Sequence, residues 1–115
     1  MKFLLMMYND EAAWDRLSKA EQDAAVQELF AFDEVLKQAG KMVISHGLVP
    51  SNEAVSIRRR KDGGRIITDG PFAESKEVMG GYYVIECDSK EEAVEWGKKV
   101  PLTTWGVEVR RIHIE

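Results

Sequence analysis

An almost unbroken apolar run over residues 3–8 is closed by the polar pair Asn9 and Asp10. Such a run predicts a central strand covered on both faces. Ser18 and Glu21 then form a capping-box pair ahead of a helix that runs to about residue 39. Its apolar positions Ala25, Leu29, Phe32 and Leu36 recur at spacings of three and four, beside Val26, Phe30, Asp33 and Lys37. One broad stripe must therefore rest on a sheet, and Gly40 supplies the terminator. Residues 11–17, which include Trp14, read as a connector with a short helical turn.

Residues 42–48 make a second strand, ended by Pro50, Ser51 and Asn52. Residues 54–60 alternate, with Val55, Ile57 and Arg59 on one side and Ser56, Arg58 and Arg60 on the other. Lys61, Asp62, Gly63 and Gly64 are a hairpin signal, and residues 65–68 return antiparallel. This ribbon is polar enough to lie outside the main core. Residues 80–87 give another strand, Asp88 to Glu91 a second helix start, and Ala93, Val94, Trp96 and Gly97 the inward side of a helix that ends before Pro101. Residues 107–114 alternate as a last strand.

Without the ribbon the order is strand, helix, strand, strand, helix, strand. Two such halves over one antiparallel sheet make an α+β, ferredoxin-like arrangement with two helices and an inserted β-ribbon, in a single domain over residues 1–115. Two helices cover only one face of the sheet, yet the strands around Leu4 and Tyr82 are apolar on both sides. A homodimer with the sheets face to face is the economical way to bury the second face.

Composition narrows the partners. Sixteen basic and twenty acidic residues leave 115 residues with a net charge of −4, the wrong sign for a protein whose main partner is nucleic acid. The lone Cys87 excludes an internal disulfide and fits a reducing, cytoplasmic setting. The apolar start stops too soon for a signal peptide or a membrane span, so no membrane partner is expected. Two distant histidines without a clustered acid argue against a metal site.

The run Asp69-Gly70-Pro71-Phe72-Ala73-Glu74-Ser75-Lys76-Glu77, followed by Gly80-Gly81-Tyr82-Tyr83, resembles the DGPF proteins, a branch of the YCII-related family. The likeness extends to the Leu4–Tyr8 opening, Gly40, Gly47-Leu48, the Ala93-Val94-Glu95-Trp96 helix and the closing Val107-Glu108-Val109-Arg110. It implies a dimeric α/β barrel built from ferredoxin-like subunits. It implies little about activity: most such proteins have no assigned reaction, an active-site His and Asp pair is proposed elsewhere in the wider family, and a few relatives resemble lyases of small aromatic compounds.

Candidate chemistry gathers around the same run. Asp69 before Gly70-Pro71 reads first as a turn carboxylate capping local amides, and second as a site carboxylate held in place by them. Glu74, Lys76 and Glu77 are a solvated charge cluster or, on a pinned loop, aimed groups. His46 is either a structural histidine or a general base, because imidazole alone among side chains ordinarily titrates near neutrality. The catalytic candidates are thus Asp69, His46 and Glu74 as proton carriers. Lys76 or Arg110 would hold an anionic or enolic oxygen, and Tyr8 and Tyr82 would line a pocket. The favoured reading is a small-molecule-binding homodimer, with acid–base chemistry of isomerase or lyase type and no redox cofactor if it is an enzyme. The competing reading is a non-catalytic ligand-sensing or structural dimer in which the Asp69–Phe72 loop only braces the barrel. A heme- or oxygen-dependent monooxygenase on the related dimeric barrel would need an axial histidine in a roomy apolar pocket, which neither histidine evidently has.

Overall fold

In the computed structural model, which describes residues 1–72, 76–102 and 106–114, the chain forms β1 (Lys2–Asp10), α1 (Glu11–Asp15), α2 (Lys19–Gln38), β2 (Met42–Gly47), β3 (Val55–Arg59), β4 (Arg65–Asp69), β5 (Glu77–Glu86), α3 (Lys90–Lys98) and β6 (Gly106–Arg111). A 3-10 turn at Ser51–Glu53 precedes β3. The main sheet is antiparallel with the order β2-β5-β1-β6, so the first apolar run is indeed a central strand.

Local chemistry sets the helix starts. The Asp10 carboxylate accepts from the Ala13 amide at 3.1 Å, which turns β1 directly into α1 and gives a helix where the pattern predicts a connector with a short helical turn. The Ser18 hydroxyl accepts from the Glu21 amide at 3.1 Å while the Glu21 carboxylate accepts from the Ser18 amide at 2.9 Å. The Ser18 amide first, and then the Ser18 side chain, hold the Glu21 carboxyl below the usual carboxylate range. The Ser89 hydroxyl caps α3 by accepting from the Glu92 amide, without the reciprocal bond, because the Glu92 carboxylate accepts from the Asp88 amide instead.

The core lies between the helices and one face of the sheet: Phe3 and Leu5 from β1, Tyr83 and Ile85 from β5, Phe32 and Leu36 from α2, with Cys87, Ala93 and Val100. Phe32 and Tyr83 meet edge to face, with ring centroids 5.5 Å apart. Burial first, then the Asp33 carboxylate, pushes the Tyr83 hydroxyl far above its ordinary value, so it stays protonated. The α2 stripe is narrower than its spacing suggests, since Ala25, Phe32 and Leu36 are buried while Val26 and Phe30 are exposed.

Two strand boundaries move for reasons of pairing. β5 begins at Glu77 because, beyond a bulge after Met7, Tyr8, Asn9 and Asp10 pair with Met79, Val78 and Glu77. β6 ends at Arg111, which pairs with Phe3 near the start of β1, so little strand remains to support residues up to 114.

The barrel implied by the family resemblance is not formed. Among the described residues the main sheet is open, with β2 and β6 as its free edges, and the β3–β4 ribbon is a separate sheet that pairs only with itself. Four strands from one chain leave two edges unpaired. The fold is therefore α+β with two open sheets.

Candidate functional site

A cavity lies on the helix side, at the end of the sheet where β1 passes into α1. It encloses about 600 Å³ between Met7 and Tyr8 of β1, Trp14 of α1, Val26 and Leu29 of α2, the segment Leu48–Asn52 after β2, and Pro101, Leu102 and Gly106. The volume is within the range of about 300–1,000 Å³ usual for small-molecule sites. Its walls are mostly apolar, and the charged groups among the described lining residues, Glu11 and Asp15, are both acidic. The Glu11 carboxylate accepts from the Ser51 amide at 2.8 Å and from the Ser51 hydroxyl, and so ties α1 to the 3-10 turn forty residues later. Gln22 donates to the Trp14 carbonyl at 3.0 Å and fixes the same corner from α2.

The opposite face of the sheet is uncovered in the single chain. Register places Leu4 and Met6 of β1, Tyr82 and Val84 of β5 and Ile44 and His46 of β2 on it, since each pairs across strands with another of that set. Arg110, paired with Leu4, and Glu108, paired with Met6, extend the face across β6. His46 thus stands away from the helices, on the same face as Ile44, which is 45% exposed. The His46 Nδ1 and the Tyr82 hydroxyl are 2.8 Å apart, with the rings tilted at 58°.

Among the expected site residues, His46 and Tyr82 come together. Tyr8 lines the cavity, and its hydroxyl lies 4.0 Å from the Met6 sulfur at the boundary with the open face. The Arg110 guanidinium is engaged by Glu108 at 2.5 Å. Lys76 is exposed and, like Arg110, stands outside the cavity wall. Asp69 is on the other sheet, at the end of β4, where its backbone pairs with Val55. There the turn is anchored by main chain: the Gly70 amide donates to the Ala54 carbonyl at 2.7 Å and the buried Ser56 hydroxyl to the Gly70 carbonyl at 2.6 Å. Gly70 sits at φ +98°, a backbone conformation that side-chain-bearing residues rarely adopt. Glu74 lies outside the described residues.

Sequence reasoning passed over Glu11, Trp14 and Asp15, which sit in what reads as a connector. The usable signal was a tryptophan beside two carboxylates in a segment too short to form a core element. Val26 gave a second signal, as an apolar residue beside the buried stripe. Among the described residues no group of three or more His, Cys, Asp or Glu could hold a metal ion, and no helix is long and apolar enough to cross a membrane.

Comparison with known proteins bears out the YCII-related part of the resemblance. The YCII-related domain matches residues 1–114. An uncharacterized protein of Rhizobium meliloti (strain 1021) is 36% identical over 98 residues, spanning 85% of this chain and 78% of that protein.

Proposed function

The chain belongs to the YCII-related domain family, and from that premise we propose that it is a small-molecule-binding protein that works as a homodimer, one domain over residues 1–115 of the DGPF branch. The cavity carries this reading. Its apolar walls and acidic Glu11 and Asp15 favour a compact, largely apolar molecule that is neutral or has a cationic or hydrogen-bond-donating head, and disfavour an anion. The second copy covers the open face, where Ile44, Val84, Leu4 and Met6 form an apolar surface of the kind that marks an interaction site. The buried thiol of Cys87 fits a cytoplasmic setting.

Amide NMR titration with benzyl alcohol, benzylamine and benzoate, one ring bearing three heads, tests the ligand class. The alcohol and the amine shift the amides of Trp14, Leu29 and Val49, and benzoate does so more weakly. No shift at those residues up to about 10 mM of any probe, a dissociation constant too weak to count as a site, would refute the reading.

A second reading, acid–base catalysis of isomerase or lyase type, is favoured by the His46–Tyr82 pair. An imidazole and a phenol at 2.8 Å form a donor–acceptor couple able to move a proton, on a face that a second copy would shield from water. Substituting His46→Gln would then abolish turnover and leave cavity binding intact. Asp69 remains the brace of the alternative, non-catalytic reading, because the bonds around Gly70 are spent on backbone.

A further inference from the structure

We infer that the β3–β4 ribbon is a docking arm whose occupant is a second copy of this chain, a step that rests on the dimer proposed above. Three observations carry it. The ribbon is a two-stranded sheet of its own, and a ribbon of that kind alone in water is marginal. One of its faces is apolar and bare: Val55, Ile57 and Ile67 are 57%, 55% and 70% exposed, with Ile57 and Ile67 directly paired. Charge, finally, is segregated along the chain. Residues 54–70 hold Arg58, Arg59, Arg60, Lys61 and Arg65 against Asp62 and Asp69, a net of +3, so with −4 for the whole chain the rest carries −7.

Those features say what covers the arm. A basic arm is drawn to an acidic body, and at the dimer's two-fold axis each copy offers both, so one contact is made twice. Charge of this kind acts chiefly on partner selection and encounter, while the aliphatic face supplies the water exclusion that holds the contact. The arm is anchored at its base, where the Ser56–Gly70 and Gly70–Ala54 bonds close it and the Arg58 guanidinium lies 4.6 Å over the Phe72 ring. The Asp69–Phe72 run is therefore the shoulder that orients the arm.

Sedimentation equilibrium on the full chain tests this with three variants: Ile57→Asp/Ile67→Asp, Arg59→Glu/Arg65→Glu, and replacement of residues 57–67 by an Asn-Gly turn. Circular dichroism checks that the body stays folded. The expected result is a wild-type dimer whose dissociation constant rises on the order of 30-fold or more in the aspartate and turn variants. Raising salt from about 50 to about 500 mM weakens the wild-type dimer, and the glutamate variant loses that dependence. A wild-type chain that is monomeric at about 100 μM sinks the dimer and the arm together. A dimer that all three variants leave unchanged overturns the arm alone, and leaves the ribbon to some other partner.

Discussion

Replacing Gly81 by alanine should damage the junction between β2 and β5 and nothing else, which makes it a direct test of how His46 is held. Gly81 is buried opposite Gly47 and Met7, and a Cβ built on it would lie 3.0 Å from the His46 carbonyl oxygen and 3.4 Å from the Gly47 Cα. Both obstacles are backbone, so relief requires β2 to move rather than a side chain to turn. Overpacking of this kind costs about 1–3 kcal/mol. Removing a glycine returns about 0.4–1 kcal/mol through the unfolded chain, because the position is not in the left-handed region. The net loss is about 1–2 kcal/mol. With an unfolding entropy of about 2.1 cal/mol/K per residue, a chain of 115 residues loses about 4–8 °C of Tm. The internal control is Gly80→Ala, whose Cβ would meet only the Asn9 Cβ at 3.5 Å, an ordinary contact. Scanning calorimetry at one protomer concentration should show the drop for Gly81→Ala and no loss for Gly80→Ala, with Tyr82 and His46 amide resonances shifted only in the former. Equal Tm values for the two variants would refute the close approach of β2.

Further outcomes follow from single interactions. Ser56→Ala removes the buried hydroxyl that donates to the Gly70 carbonyl and should cost about 1 kcal/mol at the ribbon base, read by amide exchange of residues 54–56 and 69–70. The Lys41 ammonium, 2.5 Å away, is the main reason the Glu92 carboxyl lies below the usual range, with the Asp88 amide next. A carboxyl lowered on folding adds stability above its unfolded value and loses it as pH falls through the folded one, so Glu92→Gln should flatten the acid limb of Tm below about pH 4. Burial, and then Glu92, pushes the Cys87 thiol up, and native Cys87 should react with an alkylating reagent only as fast as the chain opens. Trp14→Phe should remove most of the fluorescence change caused by a cavity ligand without altering Tm by more than about 2 °C, since Trp14 is only half-buried.

The secondary structure was legible because its signals are local. Period-two and period-3.6 patterns, the Ser18–Glu21 box and the Gly63-Gly64 hairpin each act within a few residues. What escaped was set by pairing across distance. The start of β5 at Glu77 depends on the bulge after Met7 in β1, some seventy residues earlier. The end of β6 depends on where β1 begins. The barrel had a different origin: it came with the resemblance, and four strands of one chain do not supply it.

The site was less legible than the fold for a physical reason that Tyr8, His46 and Glu11 show together. A strand pattern says that neighbouring residues face opposite ways, but not which of the two faces the helices will cover. For His46 that choice is settled only by the pairing of Ile44 with Val84 and of His46 with Tyr82 on the uncovered side. The cavity adds a second level, because six segments meet in it, Val78 and Gly80 of β5 among them, and no one of them is unusual in composition. Glu11 becomes part of a site only when Ser51 arrives to take two of its acceptor positions and draw the 3-10 turn over the end of the sheet. The conspicuous Asp69–Phe72 run, by contrast, stands out in sequence because a left-handed glycine, a proline and capping groups are needed wherever a chain turns sharply. Unusual text marked the difficult backbone, while the concave surface was assembled from ordinary residues.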